Sequence, residues 1–152
     1  MLWLDPLYGE WELPDFIEDL IHTTELARLR CITQDVLPAR LLPLNIPSRF
    51  QHSLGVCFLA LKVLEENSSL KNLKKILPIA ALLHDTGSPP FSHLSEHFLK
   101  ELIGLDGEGF LENILRKSET EKILSRLKIN ISEVVAWVTG KAKPHSDILN
   151  GS

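Results

Sequence analysis

With 152 residues, 44% of them hydrophobic and 24% charged, the chain is sized for one domain that buries a substantial core. A net charge of -4 leaves no global basic surface, so a nucleic-acid partner is not expected and any polyanion must be met by a local cluster. The apolar runs Phe58 to Leu64 and Ile76 to Leu83 fall far short of the roughly 20 residues that cross a bilayer, and Met1 to Pro6 lacks a secretory pattern, so the expectation is a cytoplasmic protein with no membrane span.

At the start of the chain, Asp5-Pro6, Gly9 and the alternating Leu7, Trp11 and Leu13 predict a small hairpin or extended arm. From Asp15 to about Thr33, Phe16, Ile17, Leu20, Ile21, Leu26 and Leu29 recur at helical spacing, as one long helix or two short ones. Pro38, Pro43 and Pro47 then break the pattern into a loop, because proline lacks the donor a helix interior needs. Ser48 and Gln51 match a capping box, which starts a helix through Val56, Leu59, Val63 and Leu64 with His52 in its first turns. Glu65 to Asn72 reads as a polar break. After it comes a helix apolar on nearly every side, running to about Asp85, with Pro78 suited to its first turn. Gly87, Pro89 and Pro90 stop it, and the next helix is expected near Ser92. Further helices are predicted at about Gly109 to Leu115, Glu119 to Leu127 and Ser132 to Val138. The polar stretch Gly140 to Ser152 reads as a mobile tail. The expected fold class is therefore all-α, one helical bundle over residues 1–152, with a short N-terminal β-hairpin at most.

Chemistry-bearing residues gather at a few places. His52 opens one helix, His84 and Asp85 close the apolar one, and His93 and His97 follow; His22 and His145 look peripheral. A histidine and an aspartate at the end of an apolar helix are costly to bury without partners. A metal ion satisfies both, and so does a hydrogen-bonded helix end. Imidazole with carboxylate suits zinc, iron, manganese or nickel better than calcium. His93 and Glu96 are three apart, so on a helix they share a face and the carboxylate can orient the imidazole. Arg28, Arg30, Arg40 and Arg49 lie in a stretch poor in acids, either as an anion-binding cluster or as ordinary solvated arginines. Cys31 and Cys57, without CxxC spacing, read as buried free thiols.

Two segments, Arg49-Phe-Gln-His52-Ser-Leu-Gly-Val56 and Ala81-Leu-Leu-His84-Asp85-Thr-Gly-Ser-Pro-Pro-Phe-Ser-His93, closely resemble signature stretches of the HD superfamily of metal-dependent phosphohydrolases. Asp5-Pro-Leu-Tyr-Gly9 and Arg28-Leu-Arg-Cys-Ile-Thr-Gln34 extend the likeness, which looks nearest to the deoxynucleotide triphosphohydrolase branch. The resemblance implies an HD-domain helical bundle in which His52, His84 and Asp85 ligate a divalent ion, whether iron, manganese, zinc, nickel or magnesium. It also implies that Arg49 lies beside phosphate, that His93 assisted by Glu96 acts in catalysis, and that Gln34 touches a sugar, with a helix-surface polar residue as the alternative account of Gln34. Ser88 and Ser118 stand where that family often has phosphate-contacting histidines; serine donates a hydrogen bond but shuttles no proton near neutral pH.

The family's last ligand is a later aspartate, and Asp147 to Ser152 resembles the approach to it, so a chain truncated before that ligand is expected, with His145 or Asp147 as stand-ins. The implied activity is hydrolysis of a phosphoester or phosphoanhydride of a nucleotide or other phosphorylated small molecule. The alternative is a metal-containing nucleotide-binding regulatory module with weak or no catalysis. The resemblance also allows a homo-oligomer.

Overall fold

A computed structural model of the chain describes residues 1–34, 46–88, 101–102, 104 and 107–150. His93, Glu96, His97 and Arg40, the proline breaks at 38, 43, 89 and 90 and the helix expected near Ser92 lie outside the described residues.

The N-terminal arm is a hairpin of β1 (Leu2–Asp5) and β2 (Gly9–Glu12), antiparallel, with Trp3 opposite Trp11 and Asp5 opposite Gly9. Its turn is set by Asp5, whose Oδ1 accepts from the backbone N–H groups of Leu7 at 2.8 Å and Tyr8 at 3.0 Å. Gly9 takes the positive φ of 75° that ends the turn.

Two short helices follow, α1 (Asp15–Ile21) and α2 (Thr24–Ala27), and then a 3-10 turn at Arg28–Cys31. Their apolar face (Ile17, Leu20, Ile21, Leu26, Leu29) is fully buried. An isolated bridge between Thr33 and Ser48 and a bond from Arg49 N–H to the Ile32 carbonyl at 2.8 Å lay the end of this segment against the start of α3 (Arg49–Glu66). That start carries the expected capping box. The Ser48 hydroxyl accepts from Gln51 N–H at 3.2 Å, and the Gln51 side chain accepts from Ser48 N–H at 3.1 Å.

The polar stretch after α3 is not an open break but a 3-10 helix at Ser68–Leu73, anchored by buried Leu73. It leads into α4 (Ile76–Leu83), all eight of whose residues are buried, with Pro78 in the first turn. Then come α5 (Gly107–Leu115), α6 (Glu119–Arg126) and α7 (Ile131–Val138), close to the predicted spans. The centre of the molecule is α4, packed by α3 on one side and α7 on another, with α5 against α7. The hairpin covers α3: Trp11 sits 5.3 Å from Phe58, Tyr8 stacks on Phe58 at 4.7 Å, and Trp3 lies 6.1 Å from Phe50, ring centroid to centroid. In the C-terminal stretch, a short α8 (Asp147–Asn150) follows fully buried Ser146, and Leu149 packs on the core. Among the described residues no helix is long and apolar enough to cross a membrane.

Candidate metal centre

Because α4 is apolar on all sides, its first polar residues emerge only where the helix leaves the core, and these are His84 and Asp85. His84 Nδ1–H donates to the Ala81 carbonyl at 2.7 Å. That bond fixes the ring and leaves the lone pair of the neutral imidazole on Nε2. From the first turns of α3, His52 brings its own Nε2 to 3.2 Å from that atom, the two rings meeting edge to face. Asp85 Oδ2 completes the group at 3.7 Å from His84 Nε2 and 3.9 Å from His52 Nε2. The three ligand atoms all lie within 4.8 Å of one another. Burial holds His52 below the ordinary histidine pKa, with His84 and Arg49 pushing the same way and Asp85 opposing them. The imidazole is thereby kept in the neutral form that can donate its lone pair to a cation.

Asp85 shows why this cluster suits a cation better than a purely structural role. Its Oδ1 is doubly engaged, accepting from Arg49 Nη1 at 2.6 Å and from the Ser88 hydroxyl at 3.3 Å. Its Oδ2 is buried and has no hydrogen-bond partner. An orphaned carboxylate oxygen is expensive, and here it faces the Nε2 atoms of His52 and His84, themselves within hydrogen-bond distance of each other at 3.2 Å. Two imidazoles and a carboxylate form a borderline-soft donor set for a first-row divalent ion, so the residues present fit the group.

The other sequence-predicted residues are distributed unevenly around this centre. Arg49 is 3% exposed and bound to Asp85, so it backs the carboxylate and does not stand free beside it. The described members of the expected arginine cluster, Arg28, Arg30 and Arg49, make internal contacts. Arg28 Nη2 donates to the carbonyls of Thr86 and Ser88, and the Arg30 guanidinium lies 3.8 Å over the Phe50 ring. Gln34 is carried to the α3 N-terminus by its N–H bond to the Pro47 carbonyl at 3.0 Å, and its Oε1 is buried without a partner. Ser118 is the N-cap of α6, accepting from Glu121 N–H at 3.1 Å. His22 and His145 are exposed, and Asp147 pairs with Lys143 at 3.4 Å, so neither proposed stand-in belongs to the cluster. Cys31 is exposed, contrary to expectation, because its 3-10 turn buries only Leu29; Cys57 is buried, which pushes its thiol up to about 12. The sequence also gave no sign of a cleft of about 360 Å³ between the hairpin turn at Leu7 and Tyr8 and the α3 face of Gln51, His52 and Val56.

Comparison with known proteins adds an independent line. A family model described as HD domain matches residues 49–149, which contain His52, His84 and Asp85. A deoxynucleoside triphosphate triphosphohydrolase SAMHD1 homolog of Dictyostelium discoideum is 36% identical over 107 residues, 66% of this chain and 21% of that protein. The SAMHD1 enzyme of Gallus gallus is 28% identical over 152 residues, 88% of this chain and 24% of its own length. A crystal structure of a hypothetical protein from Aquifex aeolicus superposes with a TM-score of 0.81 at 30% identity, covering 98% of this chain and 40% of that one. The chain thus spans well under half of each of these relatives.

Proposed function

The chain belongs to the HD domain family, and from that premise we propose that it carries the metal centre of a phosphohydrolase acting on a nucleotide. The observation that carries this reading is Asp85 Oδ2, buried, unpartnered and turned to the Nε2 atoms of His52 and His84. Relatives named as deoxynucleoside triphosphate triphosphohydrolases support hydrolysis of a phosphoester or phosphoanhydride bond as the reaction and a nucleoside triphosphate as the substrate.

His52, His84 and Asp85 hold the divalent ion, which supplies Lewis acidity toward water and a phosphoryl oxygen. Arg49 and Ser88 keep Asp85 Oδ1 occupied, so the carboxylate presents a single oxygen. Ala81 keeps His84 in the tautomer that binds. His93 and Glu96 enter on sequence alone: their spacing lets the carboxylate orient the imidazole, whose role is to hand a proton to the leaving oxygen, an effect of about a hundredfold or more. Gln34, with its unfilled acceptor, suits a sugar hydroxyl.

The test is a titration with Mn2+ and elemental analysis of the chain, beside Asp85→Asn and His84→Ala variants, followed by an assay against a panel of nucleoside triphosphates. Near-stoichiometric metal that both variants lose, together with metal-dependent turnover in a form extended through the next acidic segment, is the expected result. In the same assay His93→Ala should lose turnover far more than metal, and equal loss of both rejects its assignment. Full metal without turnover would favour a nucleotide-binding regulatory module, a reading to which Ser118 lends weight because its hydroxyl is committed to capping α6. No metal in the wild-type chain defeats both readings.

A further inference from the structure

The turn that follows α4 carries Asp85 and Ser88, and it is held from a distant part of the chain. Arg28, on the 3-10 turn, reaches across 58 residues to donate one nitrogen, Nη2, to the Thr86 carbonyl, and the same nitrogen meets the Ser88 carbonyl at 3.0 Å. Within the turn, Thr86 N–H bonds the Leu83 carbonyl at 3.0 Å and Ser88 N–H bonds the Asp85 carbonyl at 2.9 Å. The Thr86 and Ser88 carbonyls lie in the turn beyond α4, outside its hydrogen-bond ladder, and bonds from a charged donor are among the stronger ones. Thr86 is fully buried.

We propose that Arg28 is a positioning residue for the metal centre, acting through the backbone of Thr86 and Ser88 to fix the Asp85 carboxylate. This rests on the metal reading given above, but the geometry it needs exists without the ion. Ser88 is the link. Its carbonyl is held by Arg28, its N–H by the Asp85 carbonyl, and its hydroxyl donates to Asp85 Oδ1. Releasing the Ser88 carbonyl frees the residue that, with Arg49, decides which carboxylate oxygen faces His52 and His84. Arg28 therefore governs Asp85 without touching it. Because one nitrogen makes both bonds, a single ammonium can take its place, whereas an uncharged side chain cannot.

Two measurements on Arg28→Met and Arg28→Lys test this. In the metal-free protein, amide hydrogen exchange at Thr86 and Ser88 should quicken by at least about tenfold in Arg28→Met, as these bonds open locally, while the interior of α3 keeps its protection. Calorimetric titration with Mn2+ should show the affinity of Arg28→Met falling about tenfold to a hundredfold, the usual effect of losing a group that supports a ligand. Arg28→Lys should stay within about threefold of wild type, a rescue that a merely space-filling role would not give. Unchanged exchange at Thr86 and Ser88 overturns the inference whatever the metal does. Wild-type Mn2+ affinity in Arg28→Met overturns it even if that variant melts earlier. A wild-type chain that binds no Mn2+ refutes the metal reading, and with it the positioning role, while the exchange data still report separately whether Arg28 holds the turn.

Discussion

Arg49 and Asp85 illustrate how much a single pair can carry. Each is nearly out of water, and they meet at 2.6 Å; removing one partner strands a buried charge, which is more costly than removing both. Arg49→Met should therefore destabilise the metal-free protein by about 3 kcal/mol, and the double variant Arg49→Met/Asp85→Asn should be more stable than Arg49→Met alone, as read by urea unfolding. Additive losses would mean that the pair is not coupled. Of this chemistry the sequence pointed to His52, His84 and Asp85 through the resemblance of the segments around them, since a histidine and an aspartate closing an apolar helix are by themselves equally the mark of a hydrogen-bonded helix end. It did not show that Arg49 binds Asp85, or that Arg28 binds the backbone after it, because those partners lie 36 and 58 residues apart and no local spacing encodes a contact of that range. Among the described arginines of the cluster, Arg28 is used on carbonyls, Arg30 on a ring and Arg49 on a carboxylate.

At the scale of elements, α3 is the best-specified part of the chain. Its capping box reads directly from Ser48 and Gln51, and the structure contains both reciprocal bonds. Ser48→Ala should cost about 1 kcal/mol, seen as a lower urea midpoint at unchanged m-value, and it should weaken Mn2+ binding because His52 stands in the turn that the cap organises. Elsewhere on α3, Gly55 carries the hairpin: a Cβ built there would lie 3.2 Å from Tyr8 Cε2. Gly to Ala in a helix normally gains up to about 1 kcal/mol. Gly55→Ala should fall short of that in the wild-type background, where Tyr8 must shift on Phe58, and should recover it in a Tyr8→Ala background. Equal effects in the two backgrounds would show that Tyr8 yields freely. Neither this approach nor the two 3-10 segments was legible beforehand. Tyr8 and Gly55 meet only through the hairpin's docking, and Ser68–Leu73 is polar except where Leu70 and Leu73 turn inward.

For the whole molecule, the all-α class with an N-terminal hairpin followed from apolar periodicity and proline placement, since a helix as uniformly apolar as α4 has nowhere to go but the centre. The packing order around it, with α3 and α7 as its neighbours, did not follow, because periodicity identifies a buried face without naming what covers it. That order matters for the candidate site, whose three residues come from α3 and from the end of α4, two elements packed against each other. An ion bound by His52, His84 and Asp85 stitches those helices to each other and has no comparable home in the unfolded chain. Metal supply then enters the folding equilibrium itself: free metal at about 100 times its dissociation constant adds about 2.7 kcal/mol to stability. The melting temperature should climb with the logarithm of Mn2+ concentration, and Asp85→Asn should flatten that climb, so that the durability of the fold becomes a gauge of the ion around it.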